Sequence, residues 1–160
     1  PDAGVGLLDS RALARNSSLR VHISGCPNSC AQHQVADIGL AGSKVRVGGR
    51  TRDGYQVFLG ADLEQRRLGQ VVGRVAATDV GAATDAIVGV WESSRRAGET
   101  LGQTVHRLGA DAVAAHLEAT MAERWASGPE LPDDRSTPIE DGPGAPVLAT
   151  VGGGWPPGTG

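Results

Sequence analysis

The stretch Leu19-Arg20-Val21-His22-Ile23-Ser24-Gly25-Cys26-Pro27-Asn28-Ser29-Cys30 governs the reading of the whole chain. It opens by alternating apolar Leu19, Val21 and Ile23 with polar Arg20, His22 and Ser24, the period of a half-buried strand. Gly25 interrupts that period, and the only two cysteines of the chain, Cys26 and Cys30, follow at once. At this spacing both thiols fall on one face of a helical turn and can approach a single metal centre. Pro27 suits the first position of such a turn, where a missing N–H costs nothing. The turn's unpaired N–H groups would point towards an anionic thiolate or sulfide. The plain alternative is a pair of half-buried free thiols, because two cysteines do not complete the four-ligand shell of an iron–sulfur cluster or structural zinc.

Working outward, Cys30 to Val35 is compatible with a short helix, and Ala36 to Leu40 restores a strand bounded by Gly42 and Ser43. Lys44 to Val47 and Gly54 to Leu59 alternate again, with Gly48-Gly49 and Asp53-Gly54 as turn chemistry, so a small antiparallel meander is expected. Gly60-Ala61 ends the last of these strands and Asp62 can cap a turn. From Thr78 the period becomes helical: Val80, Ala83, Ile87, Val88 and Trp91 share one face, with Asp79 or Thr78 as cap and Gly98 as stop. Thr100 and Leu101 open a second helix through Val105 and Leu108, and Gly109 separates a third carrying Val113, Ala114 and Leu117, which Met121 to Trp125 prolong. On the amino-terminal side, residues 1–18 read as an entry segment. There Leu7, Leu8, Ala12, Leu13 and Ala14 form a short amphipathic helix, capped by Asp9 or Ser10 and ended by Asn16-Ser17-Ser18. Residues 127–160 are rich in Pro, Gly, Asp and Thr, lack an apolar period and read as a disordered or loosely attached tail. The expected fold class is α+β: a small mixed or antiparallel sheet with packed helices and a flexible carboxy-terminal tail.

Composition limits the functions available. The 160 residues hold 24 Gly, 9 Pro and, among aromatics, three Trp, one Tyr and one Phe, so one modest core is expected rather than several domains. A formal charge of −3 and the absence of a basic run give no electrostatic case for nucleic acid. No apolar stretch approaches the roughly 20 residues that span a bilayer, and the start, Pro1-Asp2-Ala3-Gly4, lacks the order of a signal peptide. A cytoplasmic, reducing location is expected, since two cysteines this close make a poor disulfide framework. Pro rather than Met at the first position suggests a piece of a longer product. No glycine-rich phosphate loop is present: Gly152-Gly153-Gly154 precedes Trp155-Pro156-Pro157 rather than a helix.

The residues around the cysteines carry a family resemblance. Leu19 to Gln32, followed by Ala36-Asp37-Ile38-Gly39-Leu40, resembles the second cysteine pair of the nitrite/sulfite reductases that bind sirohaem and a 4Fe-4S cluster. Gly54-Tyr55-Gln56-Val57-Phe58-Leu59-Gly60-Ala61 is similar to a later strand of that family. The resemblance runs from about Leu19 to about Leu117 and implies that residues 19–126 are the carboxy-terminal half of such a reductase domain. In the family, four cysteines hold the cluster as two pairs, of which Cys26 and Cys30 resemble the later. By the same resemblance Cys30 also bridges to the sirohaem iron, and Asn28 lies beside the cluster. The resemblance implies electron transfer from the cluster to sirohaem, reducing nitrite to ammonia or sulfite to sulfide. It further implies a donor such as ferredoxin or a reduced pyridine nucleotide system. The first cysteine pair and the basic residues that hold the anion have no counterpart here. The expected partner is therefore the amino-terminal half of the reductase or a complementing chain, and the fragment alone is expected to be inactive.

Two rivals remain open. One is a precorrin-modifying oxygenase of the same superfamily, although Pro27-Asn28-Ser29 looks more like the assimilatory reductases. The other is a non-catalytic remnant or interaction module whose thiols bind zinc, a cluster shared across a dimer, or nothing. Several further residues admit two readings. His22 could meet a cofactor carboxylate or be an ordinary strand histidine, and His33 could neighbour the cluster or be an exposed polar residue. Lys44, Arg46, Arg50 and Arg52 could face an acidic cofactor or donor, but a solvated strand face is the simpler account. Trp91 reads as packing rather than a cofactor platform.

Overall fold

Residues 10–127 are described by the computed structural model. Within them four strands form one sheet: β1 (Val21–Ser24), β2 (Ile38–Val47), β3 (Arg50–Leu59) and β4 (Gln70–Ala76). The strands lie in sequence order, with β1 parallel to β2 and the other pairs antiparallel. The sheet is therefore mixed. Parallel neighbours need a crossover connection, and the crossover between β1 and β2 is the cysteine-bearing segment itself, Gly25 to Asp37. Its far end is fixed beside the start of β1: the Arg20 backbone N–H donates to Asp37 Oδ2 at 2.9 Å and the Ile38 N–H to the Arg20 carbonyl at 3.1 Å.

Among the described residues four α-helices pack with the sheet: α1 (Arg11–Arg15), α2 (Val80–Ser94), α3 (Leu101–Leu108) and α4 (Ala110–Ser127). The expected stripe of α2 is the one the core uses, with Val80, Ala83, Ile87, Val88 and Trp91 all buried against strand residues such as Leu40 and Val57. Trp91 is core, as its spacing implies, and its indole N–H donates to the Glu99 carbonyl. Ser10 caps α1, its hydroxyl accepting from the Leu13 N–H and donating to Asp85 of α2 at 2.8 Å. Asp79 stands at the cap position of α2 but makes no side-chain cap bond. Its carboxylate instead accepts from Arg124 Nε at 3.0 Å and Trp125 Nε1 at 2.7 Å, tying the start of α2 to the end of α4. The expected placements of Leu7, Leu8 and the tail from 128 onward lie outside the described residues.

Three strand readings need correction. Gly42 and Ser43 do not end a strand; β2 runs through them to Val47. Asp53 and Gly54 are not a turn but lie inside β3, where a Cβ on Gly54 would come within 2.3 Å of the Val75 carbonyl oxygen. The hairpin turn is Gly48-Gly49 alone, both at positive φ, as a two-residue connection demands. The third correction is β4, which the strand reading omits. A register shift opposite Val57/Phe58 leaves Val71 half exposed and Val72 buried, so the alternation expected of a strand is broken.

Candidate functional site

The cysteines do not lie on a helical turn. After Gly25 the chain bends through Pro27 and Asn28, and Ser29 (φ +58°) and Gln32 (φ +50°) both take the left-handed conformation, which no helix contains. The Gln32 N–H donates to the Ser29 carbonyl at 2.7 Å, the Ser29 hydroxyl donates to Gln34 Oε1, and only His33–Val35 forms a single 3-10 turn. The loop is stapled by side-chain and tertiary contacts in place of helical bonds. It therefore has no helix N-terminus to stabilise a thiolate. What it does is hold Cys26 and Cys30 outward: both are exposed and neither is in a disulfide. Asn28, between them, is exposed as well.

Two glycines of β2 form the seat of this loop. A Cβ on Gly42 would lie 2.0 Å from the Gly25 carbonyl oxygen, just before Cys26, and a Cβ on Gly39 would lie 1.9 Å from the His33 carbonyl oxygen. Any side chain at either position would push the loop off the sheet. Ser24, the last residue of β1, supplies a third hold: its buried hydroxyl oxygen accepts from the Ala31 N–H at 3.3 Å and lies 3.0 Å from His33 Nδ1. A fourth is the Gly69 N–H, which donates to the Gln34 carbonyl at 2.7 Å.

His33 is neither exposed nor displayed towards the thiols. It is buried, its ring centroid 4.5 Å from that of Phe58, and burial holds its pKa below the usual imidazole value. His22 is half-buried, with Nδ1 3.3 Å from the Gln32 carbonyl oxygen. Lys44 is exposed and pairs with Asp53 across the hairpin. Lys44 and Arg46 line an open groove of about 740 Å³ with Arg74, Leu117, Met121 and Trp125, and no residue of the cysteine loop borders it. Lys44 and Arg46 thus face a groove that the cysteine loop does not line. Ser24, Gly39 and Gly42 carry the loop without having been singled out as site residues; their one signal in the sequence is smallness inside strand patterns.

The family model for the nitrite and sulphite reductase 4Fe-4S domain matches residues 16–124. The chain belongs to this family. A ferredoxin–nitrite reductase of Synechococcus elongatus is 60% identical over 42 residues, 26% of this chain and 8% of that protein. A sulfite reductase (NADPH) hemoprotein beta-component of Aeromonas hydrophila is 34% identical over 105 residues, 65% of this chain and 17% of that protein. Among solved structures, the Mycobacterium tuberculosis NirA protein superimposes with a TM-score of 0.54 at 33% identity, covering 64% of this chain and 20% of that one. The chain thus spans a fifth or less of the length of these reductases.

The donor set agrees with the family's 4Fe-4S description as a half-set. Two soft sulfur donors stand exposed on one anchored loop, and such a cluster takes four. Among the described residues no group of three or more His, Cys, Asp or Glu side chains is arranged to hold a metal ion. The remaining ligands of a cluster would have to come from elsewhere.

Proposed function

We propose that this chain is the cluster-binding carboxy-terminal part of a sirohaem-dependent nitrite or sulfite reductase, with Cys26 and Cys30 as two of the four cluster ligands. One observation carries the reading: the only two thiols of the chain are exposed together on a loop seated by Gly39 and Gly42, inside the segment that matches the family. On this reading residues 19–126 are the reductase part, 1–18 its entry and 127–160 a tail. The amino-terminal half of the reductase, or a complementing chain, supplies the other two thiolates and the residues that bind the anion. When bound, the cluster and sirohaem supply the electron transfer and the iron at which nitrite or sulfite is reduced. This chain's part would be to present two cysteine ligands on a fixed loop, with Asn28 between them and Cys30 also helping to hold the sirohaem. Ferredoxin or a pyridine-nucleotide system in the cytoplasm is the donor.

The two cysteines are then separable by substitution in the completed reductase. Ser places a harder oxygen donor in nearly the same volume. Cys26→Ser is expected to perturb the cluster while leaving the axial ligation of sirohaem intact, and Cys30→Ser to disturb both, as read by optical and paramagnetic resonance spectra. Altered haem ligation in Cys26→Ser with an unchanged haem in Cys30→Ser would show the bridge to be misassigned.

A further inference from the structure

We infer that Ser24 and His33 form a positioning unit that sets the Cys30 end of the loop before any metal binds. The inference rests on the reading of Cys26 and Cys30 as metal ligands and adds a role that neither residue has in it.

The two cysteines are held by different devices. On the Cys26 side the hold is steric: the carbonyl of Gly25 rests on Gly42, and packing alone fixes the approach. On the Cys30 side it is directional. The residue after Cys30 donates its N–H to Ser24 Oγ, and the same oxygen is bonded to His33 Nδ1. Ser24 is 3% exposed and His33 2% exposed, so the pair has little water to exchange partners with. His33 is itself packed in, its ring against Phe58 of β3 and its carbonyl against Gly39 of β2. The chain of contacts therefore runs from three strands of the sheet, through one imidazole and one hydroxyl, to the backbone beside Cys30.

An apolar pair would fill this space without the cost of burying two polar groups. What the polar pair adds is direction, because a hydroxyl that shares a hydrogen with Nδ1 leaves its lone pair aimed at a defined N–H. Hydrogen-bonded partners behind a ligand commonly change metal affinity by about 10- to 100-fold. The same scale applies to a backbone anchor that orients a thiolate.

The test is a cadmium(II) titration of the full 160-residue chain under anaerobic, reducing conditions. Thiolate–cadmium charge-transfer absorption gives the affinity and the cadmium NMR shift reports the sulfur environment. Cadmium is soft enough to select thiolates and needs no cluster assembly. Cys26→Ser and Cys30→Ser are each expected to weaken the binding sharply, and the double variant, which has no thiol, to abolish the absorption. Ser24→Ala is expected to weaken binding about tenfold or more and to move the cadmium shift. Ser24→Thr, which keeps the hydroxyl, should stay near the unsubstituted chain on both readouts. Circular dichroism identifies any variant that fails to fold. Should Ser24→Ala be one, His33→Leu against His33→Asn decides, because Asn restores a side-chain nitrogen and Leu does not. Ser24→Ala or His33→Leu binding cadmium as tightly as the unsubstituted chain, with an unchanged shift and with both single Cys variants weakened, would overturn the positioning role and leave the ligand reading standing. A single Cys variant that binds as tightly as the unsubstituted chain, or absorption missing from the unsubstituted chain, would overturn the ligand reading and this inference with it.

Discussion

His33 is buried against Phe58 and Ser24, and this favours its neutral form. With its folded pKa below the ordinary 6.5, the stability it contributes is fully present above that value and is lost as the pH falls through 6.5 towards the folded pKa. Chemical denaturation at pH values from about 8 to about 5 is therefore expected to show a falling midpoint that flattens in His33→Leu. An equal slope in both proteins would contradict a buried neutral ring. Gly42 makes a prediction of a different kind, because its missing side chain is the feature that matters. Gly42→Ala places a methyl where the Gly25 carbonyl oxygen stands, and overpacking of this sort costs about 1–3 kcal/mol. Denaturant unfolding should register that loss, and a proton NMR map should place the largest shifts in residues 24–35. Wild-type stability would mean that the loop does not rest on β2.

At the scale of elements, the connection before α3 is organised by Glu99. Its carboxylate accepts from Arg107 Nε at 2.8 Å and Nη2 at 2.7 Å, from the Arg96 N–H and from the Thr104 hydroxyl. The Arg107 hydrogen bonds, followed by that of the Arg96 backbone, hold its pKa at about 2 instead of 4.5. A depressed carboxylate stabilises the fold above its unfolded pKa and loses that contribution as the pH falls from 4.5 towards 2. Thermal melts of Glu99→Gln against the parent chain should differ at neutral pH and converge on acidification, whereas a constant difference would contradict the assignment. Thr100 completes a capping box with Gln103 at the start of α3, so Thr100→Ala is expected to lose about 1 kcal/mol. These helices were legible in the sequence because their apolar stripes are local; α3 also has the expected cap at Thr100 and glycine stop at Gly109, whereas α2 ends at Ser94, short of the expected stop at Gly98, and lacks a side-chain cap bond. The strands were less so. Gly42 reads locally as a strand end, while its real partner, Gly25, is distant in sequence. The bulge opposite Val57 and Phe58 erased the alternation that would have exposed β4. The helical turn at Cys26 failed for a related reason: Ser29 and Gln32 adopt positive φ because Ser24, Gln34 and β2 hold them there, and no spacing rule contains those contacts.

The described residues form a mixed sheet backed by helices, whose parallel crossover carries two exposed thiols. The chain lies within the reductase family, yet it spans a fifth or less of the relatives it matches, and on the proposed reading its two cysteines would supply half of a four-thiolate shell. On the proposed reading Cys26 and Cys30 are two ligands of a cluster completed from outside these residues. The direct measurement is iron and acid-labile sulfide after anaerobic reconstitution and desalting, made on this chain alone and on its complex with an amino-terminal reductase half carrying the first cysteine pair. The chain alone is expected to retain fewer than four irons per monomer, the complex about four, and the complex with both Cys26→Ser and Cys30→Ser almost none. Four irons and four sulfides held by the isolated monomer, or a full cluster in the complex lacking both thiols, would contradict the account.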